Sequence, residues 1–317
     1  MPPGQTTPTS TPSPTPTSTP PPLIAVRRGG LWGFASPAGQ LVVAARYDDA
    51  GPFSDNRAAV RRGGFWGYID SAGREVIAPT WDDSNAFSEG LAVVARDGRY
   101  AAIDTNGEVQ IAPRFTSLRS FAEGLAPASE RGRWGFVDTT GAWVIQPTWD
   151  DVWHFSEGRA RVDNGQQMCF VDRAGAPAMP TCFEHAGDFH EGRAAALIAG
   201  RWGFIDRSGQ TAVPAAWQGA RRFSEGLAAV HSPKGWGWVD PAGRLVIPPR
   251  FERVGDFSGG LAVAREAGRS GYLDKRGTWA IPPRFDAAFG FDNGLAHVVI
   301  GGRDAWIDRQ GRYALVP

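Results

Sequence analysis

The chain runs to 317 residues, and its 33 lysines and arginines balance 33 aspartates and glutamates. No overall field therefore favours a polyanion, which excludes nucleic acid as an expected partner. No stretch approaches the roughly 18 apolar residues of a membrane span.

Residues 1–22 are almost all proline, threonine and serine, a composition that cannot bury apolar surface and favours extended, solvated backbone. They are expected to form a disordered linker ahead of a single repeat domain over residues 23–317. They lack the apolar core of a signal peptide. A linker joins two things, which points to an upstream signal, anchor or domain; the location stays open, an extracytoplasmic or surface-tethered one following only if such a signal precedes the chain.

Beyond the linker one interval governs the chain. Gly39, Gly73, Gly107, Gly141, Gly175, Gly209, Gly243, Gly277 and Gly311 stand 34 residues apart, the signature of a tandem array sharing one continuous core. In the second unit, Arg57 to Arg61 and Phe65 to Asp70 flank a Gly63-Gly64 turn, and Glu75 to Ile77 follows the turn Asp70-Ser71-Ala72-Gly73. This predicts a three-stranded antiparallel meander. Glycine supplies a positive φ at that turn, while the aspartate side chain bonds backbone N–H groups two residues on. Aspartate holds the position from Asp70 to Asp308, and Ser36 replaces it in the first unit. The middle strand is apolar on both faces, so successive meanders are expected to stack face to face. Trp32, Trp66, Trp134, Trp202 and Trp236, with the glycine after each, are expected to fill the core between units and to admit close backbone approach.

A link follows each meander. It carries an aromatic from Tyr47 to Phe285 and, six residues later, a phenylalanine from Phe53 to Phe291. Both are expected to pin the link over the sheet. Glu-Gly follows in five units, as in Glu89-Gly90, and then a strict alanine from Ala58 to Ala296. The pattern Trp202-Gly203-Phe204-Ile205-Asp206, Gly209, Val213-Pro214, then Phe223-Ser224-Glu225-Gly226-Leu227-Ala228 resembles the WG repeat family of bacterial β-repeat proteins, over Leu23 to Pro317. The resemblance implies an interaction module and no catalytic motif. It weakens at Tyr100-Ala101, Met168-Cys169, Ser270 and Asp304-Ala305, where different packing is expected.

Counted from the first strand, Leu23 to Val316 holds nine complete meanders and no terminal piece left to splice a ring shut, and nine exceeds the usual four to eight blades of a propeller. The expected fold is therefore all-β, an open twisted stack of nine meanders, with a closed propeller-like ring as the alternative.

No unit contains a nucleophile elbow, a phosphate loop or a histidine pair at metal spacing, so no enzyme, cofactor or metal is expected. In the fifth unit the only two cysteines, Cys169 and Cys182, are brought near each other by the hairpin. They form either a disulfide, which fits an oxidising compartment, or two buried thiols. Cys182, His185 and His190 have part of a zinc spacing, but no second half. Between its two aromatic anchors each link changes from unit to unit, and loops that vary on a constant scaffold carry binding surfaces. Arg119, Trp153, His154, Arg221, Arg222 and Phe289 are the candidate contacts, being residue types found at interface hot spots. The expected function is a non-catalytic scaffold binding a protein along this edge. Carbohydrate binding through exposed aromatics is the alternative.

Overall fold

In a computed structural model that describes residues 23–292 and 294–315, the chain folds into nine antiparallel sheets. In the second, Arg57–Arg62, Phe65–Asp70 and Glu75–Trp81 form the predicted meander. The link ahead of it adds a fourth strand, Asp49–Ser54, to the free edge of the first meander strand. Six of the nine sheets are thus four-stranded, not three-stranded as the pattern predicts; the fifth has the link strand Asp151–Val152 but no third meander strand, and the link of the sixth touches its sheet only through isolated bridges at Ala186 and His190. In the third sheet the link strand shortens to Asp83–Ser84, yet Asp82, Asn85 and Ser88 still donate their N–H groups to the carbonyls of Ala95, Val93 and Leu91 at 2.8–2.9 Å. The predicted linker, residues 1–22, lies outside the described residues.

The array is closed, which overturns the open stack. Nine blades stand in a ring, a nine-bladed β-propeller, and Trp306 of the last blade packs with Ile24, Val26 and Ala35 of the first. No strand among the described residues splices the ring, and apolar packing joins its terminal blades. Among the described residues the first blade has the three strands Ile24–Arg28, Leu31–Ala35 and Leu41–Tyr47.

Contacts between blades explain the constant residues. Each link phenylalanine leaves its own sheet to pack on the middle strand of the blade before: Phe87 meets Tyr68, Phe155 meets Phe136 and Phe291 meets Tyr272, each with ring centroids 4.8 Å apart. The strict alanines, Ala58 through Ala296, are at most 1% exposed. The periodic glycine does two jobs. Gly73 has φ +78°, and a β-carbon there would lie 2.3 Å from Cγ2 of Val43 in the preceding blade. The glycine after the tryptophan lets the third strand cross closely, as a β-carbon on Gly67 would lie 2.4 Å from the Ile77 carbonyl oxygen. Blades three and nine carry Ala101 and Ala305 there and keep the same pairing, Tyr100 with Phe115 and Trp306 with Leu315. Ser270 also keeps it. Of the four weak matches, only the fifth blade departs, its third strand reduced to isolated bridges at Pro177 and Phe183.

A further set of bonds joins the turns after the link strands. Glu89, Glu123, Glu157, Glu191 and Glu225 have φ of 53–55°, a left-handed conformation that is costly for a residue with a side chain. Each is held by the next blade: Glu89 accepts from the N–H groups of Glu123 and Gly124 at 2.7 and 2.8 Å, Glu123 from Gly158, Glu157 from Gly192, Glu191 from Gly226 and Glu225 from Gly260. Asp55 does the same for Gly90. Burial works against the Glu157 carboxylate, but the Arg207 guanidinium and the Gly192 N–H outweigh it and hold the group below the usual carboxylate range. The chain of clasps runs from the second blade to the eighth. It ends there because Gly259 stands where the glutamate would be.

Candidate functional site

The link strands of successive blades lie side by side, so residues some 34 positions apart in sequence become neighbours. Arg119 lies over the Trp134 ring with its guanidinium carbon 4.1 Å from the centroid. It donates to Asp151 Oδ1 at 2.9 Å and to the Val152 carbonyl of the next link. Trp153 is covered in turn by Arg161, 4.3 Å from its centroid, and Arg161 donates to Asp188 Oδ1 at 2.6 Å and to the Ala186 carbonyl at 2.7 Å. Arg221 and Arg222 share Asp256 of the eighth blade at 2.8 and 2.9 Å. Between these links opens a surface cavity of about 410 Å³ lined by Arg161, Asp188, His190, Arg221, Arg222 and Asp256.

Four of the predicted residues, Arg119, Trp153, Arg221 and Arg222, thus form parts of one strip over blades four to eight, with Arg161 and Asp188 joining them. Phe289 stands apart on the ninth blade, 52% exposed and stacked on His297 at 4.9 Å. His154 is half-buried, and its Nε2 is enclosed with no hydrogen-bond partner among the described residues. Burial and then the Arg119 guanidinium push its pKa down, against Asp188 and the Ser120 backbone, so it is neutral near pH 7. None of the 13 tryptophans is exposed.

Partly exposed ion pairs of this kind contribute at most about 1 kcal/mol each to stability, so the strip is weakly explained as a structural device. What the pairing does is fix guanidinium groups in place, which prepares them for a partner's carboxylates, carbonyls or aromatic faces. Arg161 is the residue that the link pattern misses. Its signal lies on the first meander strand, where Ala25, Ala59, Val93, Pro127, Ala195, Ala229 and Val263 keep one position non-polar and only Arg161 and His297 break it. Both touch a variable link residue.

In the fifth blade Cys169 is bonded to Cys182. Cys169 stands three periods after Gly67, and in this blade, where the third strand is reduced to isolated bridges, the disulfide ties the middle strand to the segment that follows it. Cys182 therefore has no thiolate to offer a metal. Among the described residues no group of three or more His, Cys, Asp and Glu side chains is placed to hold one. The bond closes a 13-residue separation, for which the chain-entropy account gives about 3 kcal/mol. A reductant is expected to lower the thermal midpoint of the native chain and to leave a Cys169→Ser/Cys182→Ser variant unmoved. Calorimetry in both conditions checks this.

No curated protein matches the chain by sequence. The family described as WG containing repeat matches residues 32–64, 66–100, 100–134, 134–166, 202–230, 236–269 and 271–303. Among solved structures, one described as the eukaryotic initiation factor is 12% identical, with 92% of this chain and 94% of that chain covered at a TM-score of 0.64. Hsv2p of Kluyveromyces lactis is 11% identical, with 71% and 92% covered at a TM-score of 0.44. At such identity the likeness is one of fold. No helix among the described residues is long and apolar enough to cross a membrane.

Proposed function

The chain belongs to the WG containing repeat family, and from that premise we propose that it is a non-catalytic scaffold that binds another protein through the link strip of blades four to eight. One observation carries the reading: Arg161, Arg221 and Arg222 converge with Asp188 and Asp256 on a single cavity, although every constant residue of the repeat is spent on building the ring. Varied loops on a rigid frame, arginines held by paired carboxylates and a neutral, enclosed His154 make a surface suited to polar recognition with a partly apolar floor. Trp153, with one ring face covered by Arg161, supports that floor.

The test is quantitative capture. With the full chain as bait, an Arg221→Glu/Arg222→Glu variant is expected to lose at least tenfold of a specifically bound protein while its thermal midpoint stays within about 1 °C. A Phe65→Ser variant, changed at an exposed site on the second blade, is expected to keep the partner. An unchanged bound set in the double variant overturns the reading, and a saturable hit on a glycan array replaces it with the carbohydrate one.

A further inference from the structure

A cavity of about 730 Å³ lies where the ring closes, lined by the first meander strand of blade one and by Phe53, Leu295, His297 and Trp306 from its neighbours. Its position follows from the repeat. Blades two to nine are each preceded by a link, whereas no strand among the described residues pairs with the outer edge of Ile24–Arg28. Trp306 stands one period after Tyr272, the ring on which Phe291 sits at 4.8 Å. The phenylalanine that would cover Trp306 belongs to a link strand of the first blade, and one period before Phe53 the chain has Thr19.

The backbone of that edge is set up in the same way. Asp82, Asn85 and Ser88 of the third blade's link donate to Ala95, Val93 and Leu91. Two periods earlier the corresponding acceptors are Arg27, Ala25 and Leu23, and the corresponding donors are Pro14, Thr17 and Pro20. Proline has no N–H to donate. The chain's own arm therefore offers neither the ring nor two of the three hydrogen bonds that this edge takes elsewhere. A second copy has only its own first-blade edge, Ile24–Arg28, to offer, and that segment carries no phenylalanine to seat on Trp306.

We propose that the free edge of the first blade is an acceptor site for an extended segment of a partner protein, which adds as a fourth strand and seats a phenylalanine on Trp306. Recognition is by strand addition, with main-chain bonds giving affinity and the aromatic pocket giving specificity. The required ligand is stated by the repeat itself: N–H groups three residues apart and a phenylalanine just before the last of them, as in Asp82, Asn85, Phe87 and Ser88. This site lies across the ring closure, separate from the link strip, and neither reading depends on the other.

A fluorescent peptide copying residues 82–91 serves as the probe, titrated into the full chain. One-to-one saturable binding is expected, weakened at least tenfold when the peptide's phenylalanine is replaced by alanine. An Ala25→Pro variant is expected to lose binding by a similar factor with an unchanged thermal midpoint, because in the repeat's register the Ala25 N–H faces the free edge and not the ladder to Leu31–Ala35. The Arg221→Glu/Arg222→Glu variant is expected to bind the peptide normally, so failure here and failure of the link strip are told apart. Equal binding of both peptides, native affinity in Ala25→Pro, or a tenfold gain on deleting residues 2–22, which would make the arm the occupant, each overturns the proposal.

Discussion

Replacing Phe121 by alanine is expected to cost about 3–5 kcal/mol, the range for truncating a buried phenylalanine when the surroundings cannot close the hole. The site meets that condition. Phe121 is 1% exposed in a cluster with Leu91, Ala102, Ile111, Phe115 and Ala126, and its neighbours come from two blades, each tied to its own strand pairing. Its carbonyl also accepts the Ser88 hydroxyl at 2.9 Å, so the link is pinned on both sides of the ring. Phe289→Ala, which removes a side chain 52% exposed, is expected to cost under about 1 kcal/mol. Urea unfolding of the two variants beside the parent decides. A Phe121→Ala loss no larger than that of Phe289→Ala would show that the link phenylalanines do not anchor the blades.

Gly73→Ala is expected to cost about 3 kcal/mol through two additive effects. At φ +78° an alanine pays the left-handed penalty of about 1–2 kcal/mol. The new methyl group also lies 2.3 Å from Cγ2 of Val43, a β-branched side chain that is stiff at χ1 and buried, and overpacking adds about 1–3 kcal/mol. Gly63→Ala separates the two terms. Gly63 has φ +61° and open space around it, so that variant is expected to pay the backbone cost alone. Equal midpoints for the two in thermal unfolding would remove the periodic glycine from the blade interface and leave it a turn residue only.

How much of the site was legible follows the same division. The variable link positions were visible as breaks in a strict pattern, and four of the six nominated residues lie in one strip. His154 adds an enclosed ring nitrogen, and Phe289 belongs to another part of the ring. The pattern could not show that Arg161 on a meander strand reaches Asp188, since the two are 27 residues apart and meet only because link strands of adjacent blades run alongside each other. Nor could it tell a disulfide from two thiols, because the repeat places Cys169 and Cys182 near each other without orienting their side chains.

The sequence by itself determined the unit: where the strands turn, which faces are buried, where glycine and alanine recur, and that nine such units follow one another. Each of these is enforced locally, by a backbone angle at Gly73, by the strand crossing at Gly67 or by the volume available at Ala58. Only the tertiary structure decided that the stack is a ring, that most links pair as strands, and that no strand among the described residues covers the first blade's edge beside Trp306. Closure depends on the small angle between neighbouring blades summed around the circle. No single unit carries that sum, so a pattern that specifies each unit leaves it unspecified until the first and last blades meet.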